Sequence, residues 1–244
     1  MNELVYIDEF RTELQDYHLS KVALQTLSQT KLVLLIAPSS TGRNTIIWQL
    51  LKTGNYHFVV SDTTREPRVN DGVLEQNGRE YWFRSEEEIL ADIKAGKYLE
   101  AAIIHNQQVS GISVRELQKA AEEQKIAITD AEIDGADNAI KYKPDTTAIF
   151  VLPPSFDEWQ RRIKHRGDME PGEFRRRMES ACKELETALE RKYYKFVIND
   201  SLEHAVEKIN QIAKLDIVDE EQQHQARDLA EQLLVATRAF LSES

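Results

Sequence analysis

The sequence predicts an α/β fold: a parallel-rich sheet covered by helices on both faces. Three observations carry this expectation. Short apolar runs that read as buried strands alternate along the chain with stretches of helical spacing, the order that gives parallel strands joined by helical crossovers. The first run, Lys31–Ile36, passes straight into small, polar turn formers and then into a helical pattern. At 244 residues, 41% hydrophobic, the chain has material for one α/β domain with appendages or for two small domains.

The elements follow in order. From about Glu3 to Gln29, Ile7, Phe10, Leu14 and Tyr17 recur at three- and four-residue steps and predict a packing or partner helix. The strand Lys31–Ile36 and the loop Ala37–Asn44 precede a helix from Thr45 to about Lys52, stopped by Thr53-Gly54-Asn55. Tyr56–Val60 reads as a second strand running into Ser61–Arg68. Asn70-Asp71-Gly72 and Gln76-Asn77-Gly78 are turn signals, and Arg79–Phe83 is a short strand. Ser85 followed by Glu86, Glu87 and Glu88 starts a helix that Gly96 ends. Tyr98–Ile104 is a strand, Ser113 opens a polar helix to about Lys125, and Ile126–Thr129 is a strand with Asp130 and Glu132 at its end, near a turn at Gly135. Thr147–Leu152 is a core strand stopped by Pro153-Pro154. Ser155 opens the next helix, Glu173–Lys192 continues helically, Phe196–Ile198 is a last strand and Leu202–Ala213 a closing helix. Beyond a join at Asp216–Glu221, Ala226, Leu229, Leu233, Thr237 and Phe240 form one stripe of a helix from Gln222 to Leu241.

Charge and composition narrow the function. A net charge of −11 argues against general nucleic-acid binding, which needs a basic surface. The single cysteine, Cys182, excludes an internal disulfide and suits a reducing compartment. No apolar run approaches the ~20 residues of a membrane span, and no signal-peptide pattern opens the chain. A cytoplasmic protein is expected. Inside this acidic chain, Gln160–Met178 is basic, with seven arginines and lysines against three carboxylates.

Three stretches carry candidate chemistry. A strand, a tight loop and a helix can wrap a phosphate, because the loop N–H groups and the helix N-terminus both face the anion. Laid on the G-x-x-x-x-G-K-[ST] pattern, the loop Ala37-Pro38-Ser39-Ser40-Thr41-Gly42-Arg43-Asn44-Thr45 keeps its last glycine, Gly42, but has Ala37, Arg43 and Asn44 at the other signature positions. An ordinary strand-to-helix turn fits this loop as well. In Ser61–Arg68, two arginines three apart beside hydroxyls can hold an anionic oxygen cluster, and a solvated polar loop is the alternative. Asp130 and Glu132 sit at the C-terminal end of a strand, where ligands of open α/β sheets gather.

In order and spacing, APSSTGRNT, VSDTTREPR, NGREYWF, KYLEAA, ITDAEIDGA, FVLPPSFDEWQRRIKHRG, FRRRM and INDSLEHA resemble the guanylate kinases over roughly Lys31 to Ala213. The resemblance implies a P-loop-type domain at 31–214 between helical extensions at 1–30 and 215–244, with an acceptor-binding region at about 61–112 and a lid at about 160–178. It implies ATP-dependent phosphorylation of GMP, with Mg²⁺ as cofactor. The acceptor phosphate then falls to Ser61, Arg65, Arg68 and Tyr81, with Gly111 in the same site. The guanine base falls to Glu100 and Glu132, since a carboxylate matches the adjacent N1–H and amine donors. Asp130, with Asn44, stands where Mg²⁺ is supported, and Arg162, Arg166, Arg176 and Arg177 are the lid arginines.

The departures from the family pattern fall on the donor side and in part on the acceptor side, where Glu132 is one methylene longer than the family's aspartate. Arg43 replaces the lysine that reaches the β- and γ-phosphates, Asn44 replaces the hydroxyl that holds Mg²⁺, and Ala37 and Ser40 replace glycines. The loop from Arg68 to Tyr81 is several residues longer than usual in the family, and Ser110-Gly111-Ile112 lacks two hydroxyls of the pattern. Two readings follow: a guanylate kinase with a divergent donor loop, or a catalytically weak or inactive relative that binds GMP or a phosphorylated protein segment. The retained lid arginines favour the enzyme. The terminal helices offer a surface for a second copy or a protein partner.

Overall fold

The computed structural model describes residues 3–70, 72–165 and 171–243. In chain order its elements are α1 (Ile7–Gln15), α2 (Lys21–Gln29), β1 (Leu32–Ile36), α3 (Arg43–Lys52), β2 (Tyr56–Phe58), β3 (Asp62–Thr63), β4 (Val69–Asn70), β5 (Val73–Leu74), β6 (Trp82–Phe83), α4 (Glu86–Lys94) and β7 (Tyr98–Ile104). There follow β8 (Gln108–Ser113), α5 (Val114–Glu122), β9 (Ile126–Asp130), α6 (Ile133–Tyr142), β10 (Thr147–Leu152), α7 (Phe156–Lys164), α8 (Pro171–Glu190), β11 (Lys195–Ile198), α9 (Leu202–Leu215) and α10 (Glu220–Glu243). The α/β class read from the sequence is the class found. Two compact units divide the chain: Met1–Leu32 with Tyr56–Thr129 and Asp137–Thr146, and Val33–Asn55 with Asp130–Ala136 and Thr147–Ser244. Among the described residues no helix is long and apolar enough to cross a membrane.

In the first unit, β2 and β9 pair in parallel, and a second sheet has the order β6-β3-β8-β7. The lead-in expected as one helix is two. The first stops at Gln15, and Ser20 caps the second, accepting from Ala23 N at 3.2 Å, while it gives its own N–H to Gly96 O at 2.9 Å. Gly96, at φ +63°, cannot carry a side chain there, because a Cβ would lie 2.5 Å from Ser20 N. Phe10 of α1 is buried against Ile89, Leu90 and Ile93 of α4 and Tyr98 of β7. Tyr17 donates its hydroxyl hydrogen to Tyr98 O at 2.6 Å and accepts from Tyr98 N at 2.7 Å. Helix α4 starts as expected, with a capping box between Ser85 and Glu88.

In the second unit β1 and β11 flank β10 in parallel, with Leu34 opposite Ala148 and Phe150 opposite Phe196. Every residue of β1 and β10 is buried, as near-continuous apolar runs in a doubly covered parallel sheet require. Helix α9 packs on β10, β11 and α3. Helix α10 lies along α8 and β11, burying Ala226, Ala230, Leu233 and Thr237. Its Gln223 side chain accepts from Phe196 N and donates to Phe196 O, both at 2.8 Å.

Further elements depart from expectation. Strand β8 was not anticipated, because Gln108-Val109-Ser110-Gly111 offers no apolar run; its order comes from pairing with β3 and β7. Gly135, expected at a turn, lies inside α6, where tertiary packing outweighs glycine's modest helix penalty of about 1 kcal/mol.

Candidate functional site

In the second unit, the loop from β1 into α3 wraps one side of a cleft of about 560 Å³. Ala37–Thr45 line it, opposite Ala131–Asp134 and the α8 residues Ser180, Lys183, Glu184 and Thr187. Two loop residues, Ser40 at φ 68° and Gly42 at φ 96°, are left-handed, the backbone alternation that turns successive N–H groups toward an anion. Three hydrogen bonds hold the loop carbonyls: Thr41 Oγ1 donates to Pro38 O at 3.0 Å, Trp159 Nε1 to Ser39 O at 2.8 Å and Asn199 Nδ2 to Thr41 O at 2.6 Å. Helix α3 begins at Arg43 with Gly42 as its N-cap, so its unpaired first-turn N–H groups and positive dipole end belong to the same loop. Gly42 is also sterically required, since a Cβ would sit 2.4 Å from Asn199 Nδ2.

The charges of this cleft are coupled. Arg43 Nη2 meets Asp130 Oδ2 at 2.6 Å. The residue at the phosphate-lysine position is therefore paired with the strand-end carboxylate, and Asn44 is exposed. Glu132, expected at the guanine base, lines this cleft together with Asp134 and Glu184. Burial pushes the Glu184 carboxyl up to about 7; the neighbouring Glu132 charge adds to the rise, and the Ser180 hydrogen bond and the Arg43 charge oppose it.

Of the lid arginines, Arg162 donates from Nε to Glu158 Oε1 at 2.8 Å and from Nη2 to Asn199 O at 3.3 Å. Arg177 is bonded to Glu173 and Arg176 is exposed. None of these three lines the cleft. Arg166 lies outside the described residues.

In the first unit the two arginines of the Ser61–Arg68 loop differ sharply. Arg65 is buried, and its guanidinium grips Glu75 with two hydrogen bonds, Nη1–Oε2 at 2.5 Å and Nη2–Oε1 at 2.9 Å. Nη1 also donates to Glu66 O at 2.9 Å, and the guanidinium carbon stands 4.6 Å from the centre of the Tyr81 ring. The hydrogen bond to Glu75 holds the Arg65 pKa above the ordinary arginine range, against the effect of burial. Arg68 is exposed. Ser61 is half-buried and accepts at its carbonyl from Trp82 N at 2.9 Å, which brings β6 and Tyr81 beside the loop. Glu100 on β7 is half-buried and in register with Ile112. Gly111 leaves room for that strand, because its Cβ would stand 2.4 Å from Glu100 O.

Sequence reasoning missed four residues that build these sites. Glu75 sits between two turn signals, and the spacing of a hairpin was the clue that it returns to Arg68. Trp159 and Asn199 reach the loop from 120 and 158 positions away, and nothing local announces them. Glu184 stands on α8, one turn beyond Ser180.

Chemically, the second unit offers a backbone anion cradle with a paired cation beside it, and the first offers an exposed arginine on a braced loop. A family model described as guanylate kinase matches residues 29–215. The guanylate kinase of Porphyromonas gingivalis is 37% identical over 183 residues, covering 74% of this chain and 94% of that protein. The guanylate kinase of Corynebacterium jeikeium is 31% identical over 192 residues, covering 78% and 99%. The crystal structure of guanylate kinase from Anaplasma phagocytophilum superposes with a TM-score of 0.56 at 22% identity, over 78% of this chain and 87% of that one, a likeness of fold.

Proposed function

The chain belongs to the guanylate kinase family, and on that premise we propose that it transfers the γ-phosphoryl group of ATP to GMP, giving ADP and GDP. The observation that carries this reading is the phosphate loop: a braced turn with two left-handed residues, Ser40 and Gly42, feeding the N-terminus of α3 beside a cleft of about 560 Å³. Phosphoryl transfer asks a protein mainly for positioning and charge. The N–H groups of Ser39–Thr45 hold the donor phosphates, and Arg43 supplies positive charge next to them. Arg162, Arg166, Arg176 and Arg177 bring further positive charge to the transferring group. Ser61, Arg68 and Tyr81 take the acceptor phosphate, and Glu100 accepts from the donor edge of guanine.

Mg²⁺ enters with ATP as part of the donor substrate. Asp130, shared with Arg43, and Asn44 would be the protein groups that support it, and the ion would supply charge neutralisation on the donor phosphates. This substrate pair goes with a cytoplasmic setting. A second copy or protein partner on the terminal helices would meet Val235, exposed on α10; size-exclusion chromatography of Val235→Glu tests that part of the reading.

The Arg43–Asp130 contact favours a second reading in which donor chemistry is slow and the chain chiefly binds GMP or a phosphorylated segment. Arginine is bulkier and planar where a lysine would present a point charge. Purified protein incubated with ATP, Mg²⁺ and each nucleoside monophosphate, with ADP release followed, separates the two. GMP-dependent turnover that Arg43→Ala loses supports the kinase. Absent turnover with calorimetric GMP binding supports the binding module, and absence of both overturns the two together.

A further inference from the structure

We propose that Glu75 is a positioning residue of the acceptor site: its carboxylate fixes Arg65 and the Arg68 backbone so that Arg68 is presented to the acceptor phosphate. This rests on the GMP-binding half of the reading above.

The longer stretch between Arg68 and Tyr81 supplies the geometry. Val69 pairs with Leu74 and Asn70 with Val73, so the β4–β5 hairpin returns the chain to Arg68. At its base Glu75 N donates to Arg68 O at 2.9 Å, and Arg68 N donates to Glu75 Oε2 at 2.8 Å. The same oxygen takes Arg65 Nη1 at 2.5 Å, while Oε1 takes Nη2 at 2.9 Å. One carboxylate thus ties both arginines, one by its side chain and one by its backbone. The pair is sealed, with Arg65 and Glu75 side chains 6% and 7% exposed.

Burial decides the role. A buried arginine committed to a bidentate carboxylate, a carbonyl and an aromatic face is pre-organised and neutralised. An exposed arginine on the same loop keeps its charge for a ligand. Displacing Glu75 would strand a buried carboxylate, a strongly unfavourable outcome, so Glu75 is a brace for the site and not a stand-in for the phosphate.

The test uses the full chain with Glu75→Ala, the near-isosteric Glu75→Gln and the charge-retaining Glu75→Asp. GMP affinity is measured by calorimetry, KM for GMP and for ATP by ADP release, and folding by thermal melts. The expected result is a GMP Kd at least tenfold weaker in Glu75→Ala, with smaller losses in Glu75→Asp and Glu75→Gln and an unchanged KM for ATP. Equal or tighter GMP binding by folded Glu75→Gln overturns the proposal, tighter binding identifying Glu75 as a competitor of the phosphate. A lowered melting temperature with both KM values unchanged also overturns it, leaving Glu75 as scaffold alone. Wild-type protein that binds no GMP overturns the parent reading and this inference together. Binding without turnover leaves the inference to be judged by the Kd ratio alone.

Discussion

Substituting Gly42 by alanine perturbs the phosphate loop in a way whose size can be worked out. At φ +96° the new side chain sits in left-handed backbone, which costs an L-residue about 1–2 kcal/mol. Its Cβ is 2.4 Å from Asn199 Nδ2, too close for the amide to stay. Moving Asn199 breaks its 2.6 Å bond to Thr41 O, and leaving a buried carbonyl unpaired costs ~1–3 kcal/mol. Gly42→Ala should therefore destabilise by roughly 2–5 kcal/mol, adding these two contributions. Asn199→Ala removes the obstacle but forfeits the same bond, for ~1–3 kcal/mol. In the double variant the lost bond is counted once, so the double should be no worse than Gly42→Ala alone. The expected coupling is about 1–3 kcal/mol of relief relative to additivity. Urea unfolding of the four proteins, followed by circular dichroism, measures it. Additive destabilisation would refute the clash as the reason for glycine at this position.

Other outcomes follow from the same geometry. Arg68→Ala should weaken GMP binding by roughly 10- to 100-fold, the loss of a charge-assisted contact worth ~1.5–3 kcal/mol, read by calorimetry. Arg43→Lys should raise turnover if the donor loop is only detuned, while Arg43→Ala should lower it ~10²–10³-fold; equal rates in all three would remove Arg43 from the donor site. Glu184, raised by burial to about 7, gains its charge as pH rises from 6 to 8. The KM for ATP should climb over that interval, and Glu184→Gln should flatten the profile. The His57 imidazole is raised by the Glu116 carboxylate 3.5 Å from its Nε2, against burial and with help from its hydrogen bond to Glu123. Its contribution to stability is complete below its unfolded value near ~6.5 and is lost as pH rises through the folded value. Melting temperatures at pH 6 and pH 8.5 should differ less in His57→Gln than in the wild type.

Much of the fold was legible because apolar runs bounded by turn formers declare themselves. Tyr98–Ile104 and Thr147–Leu152 match β7 and β10 residue for residue. The loop Ala37–Asn44 was legible as a possible cradle, although its glycines are mostly gone, because a strand before it and a helix after it fix the context. What the sequence hid was set by distant partners. Strand β8 is small and polar and exists through its neighbours; α6 runs through a glycine because Ala136 and Ala139 are fully buried. The same holds at the site. Two arginines three apart look equivalent in sequence, and only the return of the β4–β5 hairpin makes Arg65 a buried brace and leaves Arg68 in solvent.

The chain segments outside the family match have a use that chemistry does not reveal. β7 is the outer strand of its sheet and β11 the outer strand beside β10. On each, one residue, Tyr98 or Phe196, has its N–H and C=O both taken by a single side chain, the Tyr17 hydroxyl or the Gln223 amide. Each of these side chains mimics a neighbouring strand while offering nowhere for another to attach. An unpaired strand edge is a template for aggregation, so the terminal segments that carry Tyr17 and Gln223 act as selvedges on the two sheets. Trimming either one away would expose its border to strand-by-strand growth between molecules.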